Sequence, residues 1–248
     1  MRIISILNHK GGVGKTTTAV NLSAGLASLG HKVLAIDLDG QANLSFSFGL
    51  ENHSTESIYQ ALRGDIKDLP ARKVKENLDV VPAHFDLGAI EMELVNEPGK
   101  EYFLKDLLEA YAEKYDYVII DCPPALGFLA FNALTASTDV IIPIEADGYA
   151  IQGTLKVQQL ITKIQRRINT TLKVMGILVT KYDQRKNISK EVTQVLLDSS
   201  AIKVLSPLIR TNVSLAEAAL SQKDIFAYAP KSTGAEDYLE LSKRISHV

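Results

Sequence analysis

The sequence is poor in the residues that build disulfides, thiolate metal sites and membrane spans. Among its 248 residues it has a single cysteine, Cys122, and no tryptophan. One thiol excludes an internal disulfide and a thiolate cage for zinc or an iron–sulfur cluster, and it is typical of a reducing compartment. No apolar run reaches the ~18–20 residues that a membrane span requires, and the N-terminus lacks the pattern of a signal peptide. These absences indicate a cytoplasmic protein.

Charge sets a further limit on possible partners. The formal net charge is −2 at pH 7, so the chain is not broadly basic. A basic domain would attract nucleic acid over most of its surface, whereas this chain can do so only through a local patch of lysine and arginine. Any nucleic-acid contact is therefore expected to be confined to one face.

What the sequence does have is an alternation of segments with high β propensity and segments with helical period. Apolar runs such as Val118–Ile120 and Val140–Ile142 predict strands that are buried on both faces. The alternation predicts an α/β fold with three layers, in which a mostly parallel, twisted sheet is flanked by helices. The predicted strands are Ile3–Asn8, Val33–Asp37, Leu78–Pro82, Tyr117–Asp121, Val140–Ile144, Val174–Thr180 and a short one near Val204.

The helical segments complete the expected domain. The predicted helices are Thr16–Leu29, Phe103–Lys114, Gly127–Ser137, Gln152–Ile168, Ser189–Asp198 and Thr233–Ile245. The polar, weakly patterned region Gly49–Lys73 is expected to be an elaboration on the surface. Because no stretch reads as a linker, residues 1–248 are predicted to form a single domain.

A glycine-rich motif lies between the first predicted strand and the first predicted helix. The chain there reads Lys10-Gly11-Gly12-Val13-Gly14-Lys15-Thr16-Thr17. Glycines let the backbone curl so that successive N–H groups point inward, and the helix N-terminus adds a positive dipole end. Lys15 can then reach the β- and γ-phosphates, and the Thr16 hydroxyl can bind Mg²⁺. The motif predicts a site for a nucleoside triphosphate with Mg²⁺.

The motif departs from the usual phosphate loop in one informative way. The usual loop begins with glycine six positions before the lysine, where this chain has His9, and a second lysine, Lys10, lies five positions before Lys15. This pattern resembles the deviant Walker A motif of the MinD/ParA family of P-loop ATPases. The resemblance implies ATP as the nucleotide and a face-to-face dimer in which Lys10 contacts the nucleotide bound by the other subunit. A cation placed there would offset charge that develops as the γ-phosphoryl group leaves.

Carboxylates follow two of the predicted strands, at the edge of a parallel sheet where ligands collect. Asp121 ends a buried strand and is placed as a Walker B residue that holds Mg²⁺ through water. Asp37 and Asp39 match the Asp-x-Asp-x-Gln element of the family. The resemblance implies that Asp39 orients or activates the attacking water and that Asp37 supports Mg²⁺. Gly40 stands where the family often has proline, which predicts a looser loop.

Two segments bear on base recognition. Val179–Asp183 contains Thr-Lys-x-Asp, the element that reads guanine in GTPases, and leaves GTP as an alternative nucleotide. Ser206–Ala218 resembles the ParA segment that borders adenine, and this resemblance implies base contacts from Arg210 and Asn212. The family has a proline and two arginines where this chain has Arg210, Thr211 and Ser214. The segment Tyr228–Glu236 also resembles the family, so the resemblance runs from residue 1 to about residue 245.

The resemblance implies a ParA-type partition ATPase, in which an ATP-bound homodimer binds DNA non-specifically on the nucleoid. A ParB-like partner would stimulate hydrolysis, and the cargo could be a plasmid, a chromosome origin or a protein assembly. A DNA patch would contact several phosphates and lose affinity steeply with salt. The candidate DNA contacts are Arg185, Lys186, Lys190, Lys203, Arg210, Lys223 and Lys231.

Other functions on the same fold remain to be weighed. A MinD-like switch on a membrane surface would need an amphipathic C-terminal helix with basic and bulky apolar faces, but Glu236–Val248 begins with several acidic residues. An electron-transfer ATPase like the nitrogenase iron protein fails, because one cysteine per chain gives a dimer only two thiolates. A metabolic kinase or synthase stays open, although no site for a second substrate is visible.

Overall fold

A seven-stranded sheet forms the centre of the computed structural model, which describes residues 1–50, 56–147, 150–198 and 202–247. The strand order is β3-β4-β2-β5-β1-β6-β7, and every neighbouring pair is parallel except β3 with β4. The strands are β1 (Arg2–Ile6), β2 (Val33–Asp37), β3 (Arg72–Lys75), β4 (Leu78–Val81), β5 (Tyr117–Asp121), β6 (Asp139–Glu145) and β7 (Lys173–Thr180).

Helices cover both faces of this sheet. They are α1 (Lys15–Ser28), α2 (Asn43–Ser47), α3 (Ile58–Arg63), α4 (Ile90–Glu93), α5 (Phe103–Glu109), α6 (Phe128–Ala136), α7 (Ala150–Arg167), α8 (Asn187–Asp198), α9 (Val213–Leu220), α10 (Ile225–Tyr228) and α11 (Thr233–Ser246). Short 3₁₀ turns occupy Phe85–Gly88 and Lys100–Tyr102. Within the described ranges, none of the helices combines the length and apolar character needed to span a bilayer.

The three-layer prediction is confirmed by the way that side chains leave the central strands. In β5, Val118 and Ile120 join the core that lies under α3 to α8, whereas Tyr117 and Ile119 join the core under α1 and α11. Successive residues of a strand point to opposite faces, so a strand covered by helices on both sides must be apolar throughout. Every residue of β5 is buried, as the continuous apolar run predicted.

Two expectations about individual segments are wrong. No strand forms near Val204, which makes only an isolated bridge to Ile177. The region Gly49–Lys73 is more than a surface elaboration over its described part, because α3 buries Ile58 and Leu62 in the core and begins with a capping box. Short helices of one or two turns carry too little periodicity to stand out in a polar sequence, and tertiary burial stabilises them instead. Residues 51–55 lie outside the described residues.

The parallel strands bring the predicted site residues to one edge of the sheet. In the register of the sheet, Asp121 lies beside Ile6 at the end of β1 and beside Asp37 at the end of β2. The glycine loop starts directly after β1, so both carboxylates and the loop meet at the carboxyl ends of three adjacent central strands.

Candidate nucleotide site

The loop between β1 and α1 has the backbone shape of a phosphate cradle. Gly12 and Gly14 adopt positive φ angles of 75° and 83°, a region that only glycine enters without strain. Gly14 is also the residue that precedes the first turn of α1. The N–H groups of residues 11–17 form no hydrogen bond with another residue of the described structure. These groups are therefore available to bind an anion at the N-terminus of α1.

The space in front of the loop also fits phosphate. A Cβ atom added at Gly11 or Gly12 would meet no other atom within 4 Å. The space is open there, and the same glycines leave the backbone uncovered so that it can approach phosphate oxygens closely. The loop therefore fits the triphosphate that the motif predicts.

Two side chains to which the sequence analysis gave no role at this loop hold it in place. Asn8 is buried, donates from Nδ2 to the Pro143 carbonyl at 2.7 Å and accepts the Lys10 N–H at 3.1 Å. The Thr180 hydroxyl lies 2.8 Å from the Val13 carbonyl and 3.0 Å from the Ile144 carbonyl. Both residues end or follow strands, and that position is the signal by which they could have been found.

The two lysines of the loop occupy different environments. The Lys15 side chain is buried, and its Nζ donates to the Lys10 carbonyl at 3.2 Å across the loop. Lys10 is more exposed, and its Nζ forms an ion pair with Asp147, which follows β6. Lys15 is therefore placed to bind phosphates of its own subunit. Lys10 would have to leave Asp147 to contact a nucleotide elsewhere.

Asp121 is the group that most clearly requires a cation. It is fully buried, and neither carboxylate oxygen forms a hydrogen bond of normal geometry within the described residues. Burial, and next to it the charge of Asp37, raises the pKa of Asp121 well above its usual range, although Thr16 and Lys15 act in the opposite direction. A buried carboxylate without partners is costly, and a divalent cation with its water ligands offsets that cost. Asp121 with Thr16 therefore fits the predicted Mg²⁺ site.

Asp37 is buried as well but already has partners. Its Oδ2 accepts both the N–H and the hydroxyl of Ser45 at 2.8 Å, and its Oδ1 accepts the Asp39 N–H at 3.2 Å. Burial raises its pKa to about 6, and the Ser45 hydrogen bonds oppose that rise. Asp37 thus fixes the loop after β2, and its support of Mg²⁺ stays a prediction.

Asp39 is partly exposed and faces a pocket of about 350 Å³ beside the loop. Its Oδ1 accepts the Gln41 N–H at 3.1 Å. Glu91, Pro124 and Gly127 also line this pocket, which leaves room for water next to the carboxylate. A Cβ at Gly40 would lie 3.4 Å from the Phe85 carbonyl oxygen, and the looser loop stays a prediction.

The structure gives Arg210 a different role from the one the sequence predicts. Its guanidinium and backbone N–H bind the carboxylate of Asp237, and Nη2 also reaches Glu236 at 3.0 Å. These contacts raise its pKa further above an already high value, chiefly through the hydrogen bonds with Asp237. Arg210 therefore ties its loop to α11, and a contact with base or DNA would require these bonds to break. Asn212 caps α9 by accepting the Ser214 N–H and donates to Thr233.

The guanine-reading alternative loses its support in the structure. Asp183 accepts hydrogen bonds at 2.9 Å from Nε and Nη2 of Arg185, and Lys181 pairs with Glu145. Thr180 is directed at the Val13 carbonyl. The Thr-Lys-x-Asp segment thus serves the loop and its own turn, with no group directed at a base.

The predicted DNA contacts lie in different surroundings. Arg185 forms an exposed ion pair with Asp183 and Arg210 one with Asp237, and Lys223 lines a pocket beside α1 with Thr16 and Thr17. Lys203 lies elsewhere, in a pocket near the start of β7. Lys186, Lys190 and Lys231 are exposed.

The sheet, the cradle loop, the second lysine and the buried Asp121 together define a P-loop ATPase of the deviant Walker A type. A family model described as an AAA domain matches residues 1–174. The chain is 43% identical over 248 residues to the sporulation initiation inhibitor protein Soj of Bacillus subtilis (strain 168), covering 99% of this chain and 98% of that protein.

Further relatives agree with this assignment. The chain is 41% identical over 247 residues to the chromosome partitioning protein ParA of Myxococcus xanthus (strain DK1622), covering 98% of this chain and 87% of that protein. A solved structure of cobyrinic acid a,c-diamide synthase from Mycobacterium smegmatis, with bound ADP and magnesium, matches with a TM-score of 0.89 at 34% identity. The match covers 100% of this chain and 94% of the synthase chain. The chain belongs to the ParA/Soj family of partition ATPases, with ATP and Mg²⁺ as its cofactors.

Proposed function

We propose that residues 1–248 act as one ATPase unit that switches its self-association and DNA binding with its nucleotide state. The observation that carries the proposal is the meeting of the free N–H groups of the loop with the partnerless carboxylate of Asp121 at one sheet edge. A ligand shifts an equilibrium only through differential binding, so ATP must favour the associated state over ADP.

Each residue of the site has a defined task in this proposal. Bound ATP with Mg²⁺ supplies the phosphoryl group and the cation that polarises it. Lys15 and the N–H groups of residues 11–17 hold the phosphates, while Thr16 and Asp121 hold the metal. Asp39 orients the attacking water from the adjoining pocket.

The second lysine couples this chemistry to dimer formation. Lys10 is paired with Asp147 in the single chain. In the proposed face-to-face dimer Lys10 contacts the partner's nucleotide, where its charge stabilises the leaving phosphoryl group. The ion pair with Asp147 is partly exposed and worth about 1 kcal/mol or less, so several phosphate oxygens can replace it.

The proposed partners are a second copy of the chain, non-specific DNA and a ParB-like protein that stimulates hydrolysis. The proposed location is the nucleoid in the cytoplasm. The name of the relative from Myxococcus xanthus, a chromosome partitioning protein, supports a role in partition.

The membrane-surface alternative is weakened by the packing of α11. Tyr238, Leu241 and Ile245 on this helix are buried against α1, and Tyr238 lies 3.1 Å from the Thr18 hydroxyl. A membrane-binding helix needs a free apolar face. The apolar face of α11 is buried in the core and is not available to a membrane. This packing favours DNA as the surface on which the protein moves.

Binding to random-sequence duplex DNA tests the proposal. The chain is mixed with labelled DNA in the presence of ATP–Mg²⁺, of ADP–Mg²⁺ and of no nucleotide, across a series of salt concentrations. We expect binding with ATP–Mg²⁺ only, with affinity falling steeply as salt rises. Equal binding in all three states, or dimer formation with ATP but no DNA binding, would overturn it.

A further inference from the structure

The helix α7 carries a row of cations on its exposed side. Its 18 residues include Lys156, Lys163, Arg166 and Arg167 but no aspartate or glutamate. At about 100° per residue, the four cations fall within an arc of about 100° on the helix. All four are exposed, and none forms an ion pair with a described residue.

The opposite side of the same helix is fixed in the core. Val157, Ile161 and Ile164 are at most 1% exposed and pack in the cluster beneath the sheet. The helix therefore cannot rotate to bury its cations or to insert its apolar side chains into a membrane. It presents a rigid positive edge.

Two further lysines lie near a different side of α7 or away from it, and they are not part of this edge. Lys203 lines a pocket of about 450 Å³ together with Gln158, Thr162 and Gln165 of α7. Lys203 and Lys173 line an adjoining pocket of about 1070 Å³ at the start of β7. Both lysines are exposed and also lack an ion pair among the described residues.

We propose that this surface, which we name the α7 row, binds the phosphate backbone of duplex DNA. The α7 row consists of Lys156, Lys163, Arg166 and Arg167. The inference rests on the proposed function for its partner but assigns the surface from the structure alone. It departs from the contacts predicted from sequence, since it contains none of them.

Length and chemistry match a nucleic-acid backbone. From Lys156 to Arg167 the row is about 16 Å long at 1.5 Å per residue, which spans about five phosphates of one strand at 3.4 Å each. An uncharged polar side chain, Gln159, lies between the cations on this side of α7. Phosphate contacts of this kind carry no sequence information, which fits non-specific binding.

Charge contrast supports the choice of a polyanion. The whole chain has a net charge of −2, so four unpaired cations on one edge leave the rest of the molecule distinctly acidic. Such segregation holds DNA at one face and repels it from the others. An anionic membrane is the competing partner, but a surface helix binds it by burying apolar side chains, and those of α7 face the core.

The test compares two triple variants with equal loss of charge. The first is Lys163→Ala/Arg166→Ala/Arg167→Ala in the α7 row. The control is Lys32→Ala/Lys67→Ala/Lys105→Ala, three exposed lysines outside the row. Each protein is titrated with 40-base-pair duplex DNA in ATP–Mg²⁺ across a salt series, and ATP binding and DNA-free hydrolysis are measured as checks on folding.

We expect the α7 variant to lose at least tenfold in DNA affinity at low salt and to reduce the slope of log K against log salt by about 3, at about 0.9 per phosphate contact. The control should lose less than threefold. Equal losses in both variants, or no loss in either, would overturn the assignment. Wild-type protein that binds no DNA in any nucleotide state would instead sink the proposed function.

A vesicle assay separates the two polyanionic partners. Wild type and both variants are sedimented with vesicles of phosphatidylserine and phosphatidylcholine in ATP–Mg²⁺. Vesicle binding that depends on the α7 row, in protein that does not bind duplex DNA, would replace DNA by a lipid surface and overturn the proposal. Absence of vesicle binding together with row-dependent DNA binding supports it.

Discussion

At the scale of single residues, two buried aspartates at adjacent strand ends differ in their hydrogen bonds. Asp37 accepts three hydrogen bonds, two of them from Ser45, and so maintains the loop that carries Asp39. Asp121 has none of normal geometry and therefore has its oxygens available for a cation. Two aspartates at matching strand ends thus differ: one shapes the site, and the other has oxygens that hydrogen bonds do not occupy.

Replacement of Asp39 should separate binding from hydrolysis. In Asp39→Ala the phosphate cradle is intact, so we expect ATP binding to persist while hydrolysis falls by at least a hundredfold, because the water loses its orienting carboxylate. The ATP-bound dimer should then persist in size-exclusion chromatography with ATP–Mg²⁺. Lys15→Ala is the contrasting variant, in which nucleotide binding itself should be lost.

The two variants give opposite failures. An Asp39→Ala protein that stays monomeric with ATP would show that Asp39 does more than act in hydrolysis, and it would refute the proposed role. A Lys15→Ala protein that binds and hydrolyses ATP normally would refute the phosphate-loop assignment.

At the scale of elements, the C-terminal third of the chain packs against strands and helices far away in sequence. Segment 203–205 passes so close to β7 that an added Cβ at Gly176 would lie 2.6 Å from the Lys203 carbonyl oxygen. The loop before α9 is tied to α11 by Arg210 and Asp237. These contacts support Thr180 and α1, and through them the cradle.

Gly176→Ala should destabilise the fold. The new methyl group would also meet Leu205 at 2.8 Å, and the neighbour that must move is backbone rather than a flexible side chain. We expect the free energy of unfolding in urea to fall by about 1–3 kcal/mol. Gly88→Ala is the control, because a Cβ there meets nothing within 4 Å, and its effect should stay within about 0.5 kcal/mol. Equal effects of both variants would show that segment 203–205 can shift at little cost.

Arg210→Ala should affect stability before it affects ligand binding. Asp237 has a nearly buried side chain and would lose its main partner, and an orphaned buried acceptor costs about 1–3 kcal/mol. We expect a lower melting temperature, with DNA affinity per folded molecule changed less than threefold. The double variant Arg210→Ala/Asp237→Ala should recover part of the loss. A tenfold loss of DNA affinity at unchanged stability would contradict this prediction and indicate that Arg210 contacts DNA.

At the scale of the whole molecule, two buried carboxylates meet at the nucleotide edge of the sheet. The carboxylates Asp37 and Asp121 lie side by side in the sheet register, and Asp121 lacks a partner. In the ligand-free chain this arrangement opposes folding near neutral pH, and a bound cation relieves it. The protein therefore gains stability from its ligand where it performs its chemistry.

Stability of the ligand-free chain should fall as pH rises from about 4 to about 6. The pKa of Asp37 is raised to about 6 in the folded chain against about 3.9 unfolded, so the folded state binds more protons in this window. The stabilising protonated form is complete below the unfolded pKa and is lost as pH passes the folded pKa, at a cost of up to about 3 kcal/mol. Urea unfolding at several pH values measures the effect.

The Asp37→Asn variant isolates this contribution. Its unfolding free energy should vary less between pH 4 and pH 6 than that of wild type, and ATP–Mg²⁺ should reduce the variation in wild type. Parallel pH curves for wild type and variant would show that other groups cause the dependence.

Local chemistry allowed the sequence by itself to determine six of the seven strands, most of the larger helices and the positions of the cradle loop and the three carboxylates, but it missed β3. Apolar runs, glycines at a strand-to-helix turn and acidic residues at strand ends each carry their meaning within a few neighbouring residues. Predicted helix ends were less accurate, as in α5, which stops at Glu109. The burial of α3 depends on residues that are distant in sequence, and these partners cannot be predicted from the short segment itself.

Only the tertiary structure decided which charges are available. Arg210 and Arg185 read as free cations in the sequence, yet both are engaged by carboxylates, one of them 27 residues away. The four cations of α7 stay together on the exposed side of the helix because its other side is packed into the core. Whether a charge is paired depends on long-range geometry, because an ion pair needs contact within about 4 Å and sequence separation places no limit on which residues meet.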